Sequence, residues 1–192
     1  METISAIALG IGLSASTGFR VFIPLLVAGL ASHFGLLPLG ENFAWMGSVP
    51  ALISFSIATV VEVLAYYIPF VDNLLDNIAT PLSVGAGTLL MTSVFPAESE
   101  WIKWIIGFVI GGGAAATIQS GSVLTRLVSS SFTAGTGNPV VSTGEGVAAT
   151  GFSIMSLFTP LLIAVILITI MIVIFRLTYR KWVKKKRDKT GI

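Results

Sequence analysis

Residues 48–68 read SVPALISFSIATVVEVLAYYI, an apolar run whose one charge is Glu62. A helix needs about 20 predominantly apolar residues to cross the hydrocarbon core of a bilayer. This stretch has that length, and Pro69 closes it. Outward from it, the whole chain has the same character. It is 54% hydrophobic and 10% charged, with a mean hydropathy of +0.93. That is the composition of an integral membrane protein. The fold class expected is therefore all-α: a polytopic transmembrane bundle of about five spans in 192 residues.

The other segments are less regular. Residues 3–31 are apolar but carry Ser14-Ala-Ser-Thr-Gly18, Arg20 and Pro24. They read either as one long kinked helix or as two half-helices. Residues 32–47 read as an interfacial connection. In PFVDNLLDNIATPLSVGAG (69–87), Pro81 predicts a helix break, and the stretch is a full span or a re-entrant hairpin. Residues 96–104 form a hydrophilic connection in which Lys103, between Trp101 and Trp104, reads as an interface anchor. Residues 104–131 are apolar with small residues, Gly111–Gly113 and three alanines, that permit close helix approach. In 132–146, Gly-Thr-Gly-Asn-Pro is turn chemistry. Asn138 reads there as the cap of a short helix with Pro139 at its first position. The last span is predicted over roughly 150–175. Two Gly/Ser/Thr-rich stretches lead into Arg20 and Arg126, each with an acid further on, which suggests a weak inverted repeat of broken helices.

Charge is concentrated at one end. Eight of the eleven Lys and Arg lie between Arg176 and Lys189, whereas the first 175 residues hold three basic and eight acidic residues. The chain divides into a transmembrane domain, 1–175, and a basic tail, 176–192. The tail is a topology signal that puts the C-terminus in the cytoplasm, and the same charges suit anionic lipid. Nucleic acid is not an expected partner. The side of the membrane that holds the N-terminus is left open. METISAIALG lacks a basic n-region, so no removable signal peptide is read there. There is no cysteine, which excludes disulfides, thiolate metal sites and cysteine nucleophiles. His33, the one histidine, leaves a His-rich zinc or di-iron site without ligands.

The chemistry is expected at polar residues inside apolar segments, because an ionisable group in lipid is costly unless it has a partner. Arg20 and Arg126 cannot shed their charge. They read either as structural ion-pair members or as binders of a substrate anion or lipid phosphate. Glu62 can take a proton and is the candidate proton-coupling residue, or else a partner for an arginine. Asp72 and Asp76 stand four apart on one helical face. They read as a cation-binding or cavity-lining pair, or as a solvated helix start after Pro69. Asn138, Ser142 and Glu145 surround the expected short helix and complete the substrate-binding set. Gly135 and Gly137 make no phosphate loop, since no lysine follows them. No cofactor is expected, and metal binding is left open.

The combination GLSASTGFRVFIPLL, VVEVLAYYIPFVDNLLDNIATPLSVGAG and TRLVSS followed by NPVVSTGE resembles a family of small bacterial integral membrane proteins, a domain of unknown function. The likeness runs from Gly12 to Gly146 and is most specific from Glu62 to Pro81. Arg20, Arg126, Asn138, Pro139, Ser142 and Glu145 carry the rest of the pattern. Members more often have an acidic pair where this chain has Gly144-Glu145. The resemblance implies a bacterial inner-membrane location and supplies no activity.

The leading functional expectation is a small transporter or channel-like carrier, proton-coupled through Glu62, for a small polar or anionic substrate. A homodimer is expected, since so short a chain has few helices to enclose a path. An intramembrane enzyme or lipid-handling protein acting on a phospholipid or isoprenoid phosphate is the second reading. A non-catalytic assembly subunit is the third.

Overall fold

The structure is a computed structural model. It describes the backbone of residues 3–133 and 135–190, and the side chains of those residues except 69–77 and 181–190. Every regular element among them is helical. Helix α1 spans Thr3–Ser16 and α2 spans Phe22–His33. A short 3-10 helix, Glu41–Gly47, leads into α3, Val49–Ala65, and α4 spans Pro69–Val94. Helix α5, Glu100–Ile106, runs through a π-helical stretch, Gly107–Gly112, into α6, Gly113–Thr133. Helices α7, Asn138–Phe158, and α8, Pro160–Thr190, complete the chain.

Local chemistry sets several boundaries. The Ser48 hydroxyl accepts from the Ala51 amide at 3.4 Å, and Pro50 stands in the first turn of α3. Ile68 and Phe95 are extended, the backbone that a following proline favours. They bracket α4 between Pro69 and Pro96. Pro81 does not break α4, which is continuous over 26 residues. Asn138 is the first residue of α7 rather than its cap. Gly137 holds the cap position, without a side-chain cap bond. The expected short helix is one of 21 residues, and the expected last span is divided at Thr159 between α7 and α8.

Helix α1 lies at the centre, packed on α4, α6, α7 and α8. Its Ser14 hydroxyl donates to the Gly87 carbonyl at 2.7 Å, and Thr17 donates to the Ser83 carbonyl at 3.1 Å. The π-helical stretch lies against α4. A Cβ on Gly87 would stand 2.7 Å from the Gly111 carbonyl and 2.8 Å from the Ala115 Cβ. Small residues thus bring the two backbones together.

Polarity is reversed relative to a water-soluble bundle. Ser14, Thr17, Arg20, Gln119, Ser153 and Ser156 are buried, whereas Ile57, Val61, Leu64, Leu162, Val165 and Phe175 are exposed. Two stretches, Glu100–Thr133 and Pro160–Arg180, are long and apolar enough to cross a membrane. The pair Glu41–Gly47 and Val49–Ala65, bent by 61°, makes up to three. Thr3–Ser16, Phe22–His33 and the Ile78–Val94 part of α4 are shorter apolar stretches.

Candidate functional site

The chain leaves helical geometry between α1 and α2, and Arg20 sits in that break with 1% of its surface exposed. Gly18 permits the close approach of the break to α6, since a Cβ there would meet Ile118 at 2.6 Å and the Gln119 amide at 2.8 Å. A helix start leaves backbone N–H groups without partners. Here α3 supplies the acceptor. The Val21 amide donates to Glu62 Oε1 at 2.8 Å, and the Phe22 amide donates to Oε2 at 3.1 Å. Glu62 is therefore a cap in trans for α2. Its negative charge at the positive end of that half-helix is favourable.

The other charges meet beyond the break. On α7, Asn138, Ser142 and Glu145 follow one another at helical spacing and are all buried. On α6, Ile118, Gln119, Ser122 and Arg126 form the facing buried stripe. Arg20 Nη2 donates to the Ser142 carbonyl at 2.9 Å and to the Ser142 hydroxyl. It lies 3.4 Å from Glu145 Oε2. The same carboxylate oxygen accepts from Arg126 Nη2. Both guanidinium carbons stand over the ring of Tyr66, at 3.9 Å for Arg20 and 4.0 Å for Arg126. The ring's negative face attracts both cations, and Glu145 bridges them.

Five of the residues singled out in the sequence, Arg20, Arg126, Ser142, Glu145 and Glu62, thus come together around the break. Asn138, one helical turn before Ser142, donates from Nδ2 to the Ser130 hydroxyl at 3.0 Å. Arg20 lies in a helix break but Arg126 lies within continuous α6, so the two stretches that suggested a repeat differ in backbone. Asp72 and Asp76 fall in the early turns of α4, and their side chains lie outside the described residues. Two residues elsewhere have local roles. His33 Nδ1 pairs with the Gly47 carbonyl at 2.8 Å, and Lys103 with Glu100 at 2.7 Å. Tyr66 joins the site without having been singled out by its sequence context. Its position four after Glu62 was the available signal, because that spacing puts both on one helical face.

Satisfaction of the cluster is incomplete. Arg20 Nε and Nη1 and Glu145 Oε1 are buried and make no hydrogen bond among the described residues. Such groups carry a desolvation cost that a bound ligand or water would offset. Arg20 and Ser142 form part of the wall of a cavity of about 530 Å³ between α2, α3 and α7, whose other walls include Ile23, Val63 and Val147. At its edge the Tyr67 hydroxyl and the Thr143 hydroxyl are 2.8 Å apart. Glu62 and Tyr66 line a second cavity of about 430 Å³, beside α3. Glu145, Ser122 and Thr125 line a third, also about 430 Å³, between α6, α7 and α8. Among the described residues, no group of three or more His, Cys, Asp or Glu could hold a metal ion.

The family described as Domain of unknown function (DUF4126) matches residues 7–180. No curated protein and no solved structure matches the chain.

Proposed function

The chain belongs to the family of unknown function DUF4126, and from that premise we propose that it is a membrane-embedded carrier for a small anionic solute, which binds at Arg20. The observation that carries this reading is a buried arginine with two unpartnered donor atoms, in the wall of a cavity large enough for a small ligand. An arginine stays charged even here, so an anion or an oxygen-rich polar group is the ligand that completes it. Ser142 adds a hydroxyl beside it. Glu145 holds Arg20 when no ligand is present, and Arg126 and Tyr66 keep the cluster in register.

In this proposal the bundle makes about five crossings, with α1 and α2 as the halves of one broken crossing. A broken helix at mid-membrane is a recurrent site of solute binding in carriers, and Glu62 secures the start of the second half. The apolar outer faces of α3 and α8 would face lipid. The basic tail would sit on the cytoplasmic side of a bacterial inner membrane, against anionic lipid. A homodimer would enclose more of the path than one copy can.

One observation favours a second reading, in which the anion is the phosphate of a phospholipid or isoprenoid. The Arg20 cavity lies between α3 and α7, and its outer wall includes the exposed, apolar Val147. A lipid could enter it sideways, headgroup first.

Counterflow in proteoliposomes separates these readings. Uptake of a small organic anion that is saturable and lost in Arg20→Gln is expected of the carrier. Absence of uptake for a broad anion panel, with Arg20-dependent retention of phosphatidic acid on the purified protein, would replace it with the lipid reading.

A further inference from the structure

Glu145 and Arg20 form one ion pair but belong to the walls of different cavities. Glu145 Oε2 serves both arginines, while Oε1 is buried and makes no hydrogen bond among the described residues. Glu145 is the one acid within ion-pair distance of Arg20 among the described residues. The sequence's candidate for titration, Glu62, has both oxygens committed to the Val21 and Phe22 amides instead.

We infer that Glu145 is a proton-binding site, reached from the cavity between α6, α7 and α8, and that its protonation is linked to anion binding at Arg20. The inference rests on the anion reading of Arg20 above. An anion arriving at Arg20 brings a second negative charge close to the Glu145 carboxylate, and the two repel strongly in a poorly screened interior. A proton on Glu145 removes that repulsion and leaves the Arg20 charge to the ligand, which Nε and Nη1 can bind. The linkage is reciprocal: whatever factor the proton adds to anion affinity, the anion adds to proton affinity. The net charge of the cluster is then the same in the empty and the doubly loaded states, which suits movement within a low-dielectric interior.

A proton fits this site better than a metal cation. The polar side chains of the third cavity are Glu145, Ser122 and Thr125, and the Thr125 hydroxyl already donates to the Gly121 carbonyl at 2.9 Å. A hard cation such as calcium takes about six or more oxygen ligands. Among the described residues, the charged and titratable groups around Glu145 are Arg20 from the break, Arg126 from α6 and Tyr66 at the end of α3. Glu62, on α3, faces the start of α2 instead. Among the described residues, helix α8 contributes Ile170 and Ile174 to the cavity and no titratable group.

The test uses the full chain in lipid nanodiscs and hexanesulfonate as the probe, because a sulfonate keeps one charge across the range in which carboxylates and histidines titrate. Calorimetry in two buffers of different ionisation enthalpy counts the protons taken up for each anion bound. The expected result is uptake approaching one proton per anion. Affinity should rise by up to about tenfold for each pH unit lowered. In Glu145→Gln, binding should persist without proton uptake and without pH dependence, whereas in Glu62→Gln uptake should persist. Sulfonate binding to the native chain without proton uptake overturns the inference and leaves the anion site standing. Uptake retained in Glu145→Gln and lost in Glu62→Gln overturns it in favour of Glu62. Failure of the native chain to bind the sulfonate at any pH removes the anion reading itself. The count on the native chain decides the matter even where the Gln variant does not fold.

Discussion

Tyr66 holds two cations on one aromatic ring, at 3.9 and 4.0 Å from its centroid. Each desolvated cation–π contact contributes up to about 2 kcal/mol. Tyr66→Leu is therefore expected to unfold more readily than Tyr66→Phe, by about 1–3 kcal/mol, in thermal denaturation in detergent; equal stabilities would show that the ring face contributes nothing. Glu62 allows a second test. Its two oxygens accept from the Val21 and Phe22 amides. In Glu62→Gln the amide NH₂ would face one of those N–H groups and leave it unsatisfied, at a cost of about 1–3 kcal/mol. Hydrogen exchange at the start of α2 is expected to accelerate, while exchange in α8 stays unchanged. Arg20, Arg126, Glu62, Ser142 and Glu145 were legible in the sequence because a charged or polar group in an apolar stretch is costly and must be there for a reason. Tyr66 was not, because a tyrosine near the end of an apolar helix reads as an interfacial aromatic. Nor was the partner of Glu62, since free amides in a helix break have no residue signature.

At the scale of elements, proximity of backbones decides. A Cβ on Gly87 of α4 would stand 2.7 Å from the Gly111 carbonyl, whereas a Cβ on Gly85, two residues away, would meet nothing within 4 Å. Gly87→Ala is expected to destabilise the protein by about 1–3 kcal/mol through overpacking. Gly85→Ala is expected to stabilise it by up to about 1 kcal/mol through helix propensity. Thermal denaturation of both variants checks this, and a neutral Gly87→Ala would mean that the seam between α4 and the π-helical stretch can part without cost. The glycine-rich run was legible as a close-packing surface, although its partner helix was not. Pro81 signals a break that α4 does not have. A proline in a helix interior costs about 3 kcal/mol in water; in the membrane setting proposed above, the alternatives to a helix would leave still more backbone unsatisfied, which accounts for a continuous α4. The division at Thr159–Pro160 was missed for a related reason. Apolar residues run across it without a change of composition, and only the backbone turns.

At the scale of the molecule, the distribution of polarity governs where the protein resides. Two stretches are long and apolar enough to cross a membrane, and up to three with the bent pair. Eight cations crowd residues 176–189. A reporter fused after Ile192 is expected to be active only in a form that functions in the cytoplasm; activity of an exported form would invert the proposed topology. Replacing Lys184, Lys185 and Lys186 with Gln is expected to weaken retention of the purified chain on anionic vesicles. The remaining retention should be less sensitive to salt, because screening acts over about 10 Å at 0.1 M ionic strength. The sequence by itself determined the class of fold, the apolar lengths of the helices, the location of the basic charge and most of the polar residues of the buried cluster. These follow from composition and from local length, which are properties of the chain before it folds. Only the tertiary structure decided which charges meet. It gave Glu145 to both arginines and Glu62 to a helix start, although either acid is chemically able to serve either role. Pairing is a matter of distance after packing, and residues 20, 62, 126 and 145 have no spacing in sequence that fixes their spacing in space.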